Sequence, residues 1–212
     1  GDQEASEYVI TGLGLSLVGS QDDQIFFMLN GPGGSGKGTI MNIAQGIFGT
    51  NDTGYSGSIE ATAFTKGRAA GHPTEIARLW NKRLVVSSEL EQHTTLDTAR
   101  LKNITGGDVL TGHFMRQDFF DFEATHTLWI MTNYRPRVDG EDSGFWRRLR
   151  EIPFVHTPPT KILGLAELIV RDEGPGVLAK MIRAASKYLH EGMLIPDAVM
   201  DAIEANKAEQ DT

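Results

Sequence analysis

The sequence predicts an α/β fold in three layers around a parallel central sheet, and three observations predict it. First, QIFFML (24–29), RLVVSSELE (83–91) and THTLWIMTN (125–133) are apolar runs without polar alternation, as expected of strands buried on both sheet faces. Second, helical periodicity follows the first run: Ile40, Ile43, Ala44 and Ile47 fall at i, i+3, i+4 and i+7 on one helix face. Third, the loop joining that strand to that helix, NGPGGSGKGTI (30–40), holds five glycines and a single lysine.

The elements follow in order. EYVITGLGLSLVGSQDDQ reads as a short apolar helix ending in a polar turn, ahead of the first strand. NDTGYSGSIEATAFTKGRAAGHP is loop-rich, TEIARLW is a short helix, and the strand at 83–91 ends in carboxylates. TLDTARLKNITGGD reads as a helix closed by glycines. VLTGHFMRQDFFDF alternates as a hairpin does, with Arg116, Gln117 and Asp118 near its tip; Phe119, Phe120 and Phe122 are expected mostly to pack the hairpin and core, with one ring a candidate to stack on a base. The strand at 125–133 ends in Asn133, RPRVDGEDSG is a loop, and FWRRLREIPF leads into a last strand. Val177, Leu178, Met181, Ile182, Ala185, Tyr188 and Leu189 mark an amphipathic helix in an acidic tail. This divides the chain into an N-terminal helical segment (1–23), a core (24–155) and a C-terminal helical segment (156–212). The opening Gly, with no targeting signal behind it, is expected of a piece of a longer chain.

Composition narrows the function. The 212 residues are 40% hydrophobic and 23% charged, those of a soluble globular domain, and no run approaches a membrane span. The absence of cysteine excludes disulfides and thiolate metal sites and suits a cytoplasmic setting. Histidines 72, 93, 113, 126, 156 and 190 have no metal-ligand spacing. A net charge of −8 speaks against a broad nucleic-acid-binding face, but the acids concentrate at the ends, and residues 24–155 hold 14 acids and 14 bases.

The glycine-rich loop carries the chemistry. Gly31-Pro-Gly33-Gly34-Ser35-Gly36-Lys37-Gly38-Thr39 fits G-x-x-x-x-G-K between a buried strand and a helix. A backbone without side chains lets successive N–H groups face a phosphate chain, and the helix N-terminus and Lys37 add positive charge. A flexible Gly-rich linker would not be framed by those two elements. Gly38 stands where Ser or Thr usually meets Mg²⁺, so the hydroxyl comes from Thr39 or water takes its place. Glu89, 52 residues after Lys37 at the end of a buried strand, is placed to reach Mg²⁺ or polarise a water, with Glu91 a second candidate. Asn133 offers an amide at the end of another strand, where a turn-forming role is the plainer alternative. Arg147, Arg148 and Arg150 form either a solvated basic edge or a source of an arginine acting on a neighbouring subunit's γ-phosphate.

HPTEIARLWNKRLVVSSELEQ, LKNITGGDVLTGHFMRQDFFDF, THTLWIMTNYRPRV and FWRRLREIPF occur in that order behind the phosphate loop. The set resembles the superfamily 3 helicase domain of phage and plasmid primase–helicases, and EGPGVLAKMIRAASKYLHEGMLIPDAV is similar to that family's C-terminal helical segment. The resemblance covers roughly residues 8 to 205. It implies a P-loop NTPase of AAA+-like form, with a β-hairpin insertion and a small C-terminal helical part. It also implies ATP and Mg²⁺ at subunit interfaces of a homo-hexamer that moves on single-stranded DNA. By resemblance, Gly31–Thr39 is the Walker A loop, Glu89 the Walker B acid, Asn133 the polar sensor and Arg148 the arginine finger with Arg147 in reserve. Arg116 and Gln117 fall on DNA phosphates, and Lys102 on a neighbour's ATP site. Nothing resembles a primase active site, so primer synthesis is expected outside this chain.

Two rival classes share the loop. A small nucleotide kinase needs an acceptor-binding lid between the second and third strands, where this sequence has its hairpin. An AAA+ remodeller of proteins favours an aromatic-hydrophobic pore loop over a cationic one.

Overall fold

A computed structural model describes residues 3–67, 73–138 and 142–210. Nine strands are described: β1 (Phe26–Asn30), β2 (Ser56–Ile59), β3 (Leu84–Ser87), β4 (Thr95–Leu96), β5 (Val109–Gly112), β6 (Phe120–Glu123), β7 (Thr127–Thr132), β8 (Arg137–Val138) and β9 (Leu149–Pro153). The α-helices are α1 (Gln3–Val18), α2 (Lys37–Phe48), α3 (Pro73–Ala77), α4 (Thr98–Thr105), α5 (Ser143–Trp146), α6 (Leu165–Glu191) and α7 (Asp197–Gln210). A 3₁₀ turn spans Ala61–Phe64.

Five strands form the central sheet in the order β2-β3-β7-β1-β9, every pairing parallel. Alternation along β1 divides the core between the two faces. Phe26 and Met28 join one cluster with Phe64, Leu101 and Phe145; Phe27 and Leu29 join the other with Leu13, Met41 and Met181. The expected α/β fold with a parallel central sheet is therefore present, with β5 and β6 as an antiparallel hairpin outside the sheet.

Close helix contacts are made where glycine removes a side chain. A Cβ on Gly14 of α1 would lie 2.8 Å from the Met181 carbonyl oxygen of α6, and one on Gly46 of α2 would lie 2.8 Å from Val170. α6 thus packs on α2 through its first half and on α1 through its second. Trp129 stacks on Phe27 at 4.2 Å and donates from Nε1 to Ser16 Oγ at 3.2 Å, joining α1 to the sheet centre.

Several sequence expectations change. The stretch 51–73 contains β2, an edge strand whose sequence SGSI has weak strand propensity and is ordered by pairing with β3; residues 68–72, with His72, lie outside the described residues. The helix expected from Val177 begins at Leu165 and runs through Pro175. An interior proline costs roughly 3 kcal/mol, and packing on both sides of it offsets that. On α2 the deeply buried apolar residues are Met41, Ala44 and Phe48, while Ile40, Ile43 and Ile47 line a cavity of about 570 Å³ beneath α1 and α6. The loop after Asn133 includes β8, which pairs with β4.

His126, before β7, is fully buried, and among the described residues neither ring nitrogen has a hydrogen-bond partner. Burial pushes its pKa down from 6.5 to about 4. Below pH 6.5 the unfolded chain takes up a proton that the fold refuses, so stability is lost as pH falls from 6.5 towards 4, by up to about 3 kcal/mol. Denaturation midpoints against pH should show His126→Leu flatter than wild type in that window; parallel curves would contradict this assignment. No helix among the described residues is long and apolar enough to cross a membrane.

Candidate nucleotide site

Because every central strand is parallel, all their C-terminal ends lie on one edge, and topology decides which meet. β7 lies between β1 and β3, so Asn30 pairs with Thr132, and Leu90 bridges to Thr132 from the other side. The loop after β1, Asn133 after β7 and Glu89 beside β3 are therefore neighbours despite wide sequence separation.

Lys37, the first residue of α2, is only 6% exposed. Its ammonium donates to the Gly31 carbonyl at 2.6 Å, the Pro32 carbonyl at 3.0 Å, Ser35 Oγ at 3.3 Å and Asn133 Oδ1 at 3.0 Å. Burial lowers its pKa, and the nearby Glu89 carboxylate opposes that. Thr132 Oγ1 accepts from Tyr134 N at 3.1 Å and donates to the Tyr134 carbonyl, which fixes the turn presenting Asn133.

Glu89 reaches solvent through a register change. Val86 pairs with Trp129, yet Leu90 bridges to Thr132, so the β3 side has one residue more than β7 across this interval. Such a bulge re-aims a side chain. Leu90 stays buried and Glu89 is exposed at the sheet edge. Glu91 is exposed too, and its carbonyl closes a turn to Thr94.

The loop itself leaves space. A Cβ on Gly33, Gly36 or Gly38 would meet nothing within 4 Å, whereas one on Gly31 would strike the Phe154 carbonyl oxygen at 2.1 Å. Gly34 and Gly36 have φ of 82° and 97°, which glycine adopts without strain. No side chain caps the first turn of α2. A bare backbone, an uncapped helix N-terminus and a buried ammonium suit a phosphate chain. Thr39, half-buried in that first turn, and Glu89 suit its divalent cation; no cluster of three or more His, Asp or Glu suited to a metal occurs among the described residues.

The arginines lie elsewhere. Arg148 precedes β9, whose Leu149 pairs with Phe26 and whose Pro153 pairs with Asn30. It sits at the opposite sheet edge, about 17 Å from the loop at strand rise, beyond reach of its own Lys37. Arg148 is 8% exposed and donates to the Gly144 carbonyl and to Gln24 Oε1, both at 2.7 Å; burial and then the Arg147 charge lower its pKa. Arg147 is exposed and donates to the same Gln24 oxygen at 2.6 Å. Beside them Lys102 pairs with Asp142 at 2.7 Å. Gln24 carries no local sequence signal, since its role depends on a contact with Arg147 and Arg148 across more than 120 residues.

Arg116 and Gln117 are exposed at the hairpin tip. Gln117 N donates to the Phe114 carbonyl at 3.0 Å, closing a turn with Arg116 at φ 62°. Phe114 stacks on Phe120 at 5.5 Å and Trp80 meets both edge-on, which stiffens the hairpin base.

A model described as a family of unknown function (DUF5906) matches residues 29–148, more than half the chain. The chain belongs to this family. The DUF5906 match takes in the glycine loop, Glu89, Asn133 and the arginine pair. Over 93% of its length this DUF5906 chain is 24% identical to the "Putative helicase L207/L206" of Acanthamoeba polyphaga mimivirus, covering 22% of that protein. Over 73% of its length it is 24% identical to the "Putative primase C962R" of African swine fever virus, covering 16% of it. The chain thus spans about a fifth of the length of these relatives. Two solved structures of the NrS-1 C-terminal region superpose on 97% of it, with TM-scores of 0.66 and 0.65 at 16% identity, and it covers 47% and 48% of those chains. That likeness is one of fold.

Proposed function

We propose that this chain is the ATP-hydrolysing motor domain of a viral or mobile-element replication protein, a P-loop NTPase of the superfamily 3 helicase type that works as a ring on single-stranded DNA. One observation carries the reading: Lys37 at the start of α2, Asn133 after β7 and Glu89 after β3 converge at one sheet edge beside a bare loop. The viral relatives named for helicase and primase support the replication setting.

In this reading the triphosphate lies along Gly31–Thr39. Lys37 exchanges its loop carbonyls for phosphate oxygens, and Asn133 orients the attacking water. Glu89 accepts the water's proton as oxygen bonds to the γ-phosphorus and the bridge to the β-phosphate breaks. Thr39 and Glu89 would help hold a Mg²⁺, which when bound would supply charge neutralisation on the phosphates. The arginine pair, too far from its own loop, serves an adjacent subunit, which makes the ring part of the active site. Both members donate to Gln24; Arg147 is exposed and would need to release that bond to extend, while Arg148 is buried and also donates to the Gly144 carbonyl.

Arg116 at the hairpin tip contacts DNA phosphates, one copy per subunit around a channel, so the overall acidity of the chain is no bar to binding. Arg116→Ala should weaken single-stranded DNA binding, by roughly tenfold at moderate salt, and flatten its salt dependence, with a smaller effect on DNA-independent hydrolysis. Fluorescence anisotropy with a labelled oligonucleotide reads this directly; equal affinity for wild type and variant would remove Arg116 from the DNA path.

A further inference from the structure

Behind the nucleotide edge lies a buried carboxylate that the proposed hydrolysis does not use. Glu151 of β9 is 0% exposed. A carboxylate so withdrawn from water must be met by donors or lose its charge. Three donors meet it: Asn30 Nδ2 at 2.9 Å and Arg135 Nε at 3.0 Å on Oε1, and Asn206 Nδ2 at 2.6 Å on Oε2.

Each donor comes from a different part of the chain. Asn30 ends β1 and immediately precedes Gly31, whose carbonyl holds the Lys37 ammonium. Arg135 stands two residues beyond Asn133. Asn206 belongs to α7, which grips the same segment through further bonds. Glu209 accepts from Arg135 Nη1, Gln210 Oε1 accepts from Val138 N at 3.0 Å, and Gln210 Nε2 donates to the Pro136 carbonyl at 3.2 Å. One carboxylate therefore ties the root of the glycine loop and the root of the Asn133 turn to a single C-terminal helix.

We propose that α7, acting through Glu151, is a positioning element of the nucleotide site: it sets the spacing between Gly31 and Asn133, and with it the rate of the chemical step rather than the affinity for nucleotide. This rests on the hydrolase reading above. Catalysis is steep in geometry, a misplacement of about 1 Å costing about a hundredfold, whereas phosphate binding by the loop backbone is more tolerant. A helix that merely clips the fold together would change stability and leave the kinetic constants alone.

The test uses the whole chain with ATP as probe. Asn206→Ala should lower kcat about tenfold or more, with KM and the affinity for a non-hydrolysable ATP analogue changed less than about threefold. Phe48→Leu, at the far end of α2, serves as a control that lowers thermal stability without touching the network, and it should keep kcat. Where Asn206→Ala fails to fold, Gln210→Ala replaces it, with a smaller loss of kcat in the same direction. Loss of kcat that merely tracks thermal stability across all variants, or an unchanged kcat in Asn206→Ala, overturns the inference while leaving the hydrolase reading intact. Absence of hydrolysis in wild type overturns both.

Discussion

Lys37→Ala is expected to reduce ATP hydrolysis by a factor of about 10²–10³ or more, with the far-ultraviolet dichroism of wild type. The ammonium is the loop's lone cation, it is nearly buried, and its four oxygen partners surround the place where a phosphate oxygen would compete. Removing it leaves developing negative charge unmet in a partly dry site, where charge is most expensive. The fold should tolerate the change, because β1 and α2 are held by the apolar clusters on each sheet face. Glu89→Gln makes the complementary prediction. It should also abolish turnover, since an amide cannot take up the water's proton, yet it should retain nucleotide binding far better than Lys37→Ala does, because the loop backbone and Lys37 still meet the phosphates and an amide oxygen can still face the cation. Coupled-enzyme turnover and nucleotide binding on the same preparations separate the two roles.

The second large effect concerns the proposed subunit interface. Replacing Arg147 and Arg148 together by Ala should cost about 10³-fold in hydrolysis, and mixing that variant with Lys37→Ala should restore part of the activity. Neither parent should hydrolyse alone. In a mixed ring, some interfaces join the intact loop of one parent to the intact arginines of the other, and those turn over. The geometry supports this arrangement because the arginines and the loop occupy opposite ends of parallel strands. No recovery at any mixing ratio would place the arginines outside the active site and leave them with their structural partners, Gln24 and the Gly144 carbonyl.

Much of this was legible in the sequence where one local signal sufficed. The unbroken apolar runs gave β1, β3 and β7, and the glycine loop between strand and helix gave the position of Lys37. The alternation around Arg116 gave the hairpin. What escaped depends on partners remote in the chain. SGSI becomes a strand only because β3 lies beside it, and α6 continues through Pro175 only because α1 and α2 pack on its two halves. The bulge that frees Glu89 is a difference in register between strands, invisible along one of them. The Glu151 network joins residues up to 121 positions apart. A glutamate in an otherwise buried strand was the available signal: it announces donors without naming them. The arginine pair shows the same limit, since family resemblance favoured Arg148 and burial distinguishes it from the exposed Arg147.

The most direct measurement is an equilibrium titration of a non-hydrolysable ATP analogue with Mg²⁺ into wild type and into Lys37→Ala, read by calorimetry. Wild type should bind saturably near one analogue per chain, and the variant at least about tenfold more weakly, through the loss of a charge-assisted contact to phosphate. Binding by both proteins with equal affinity, or no binding by wild type at all, would contradict the claim that this loop and its lysine hold a triphosphate.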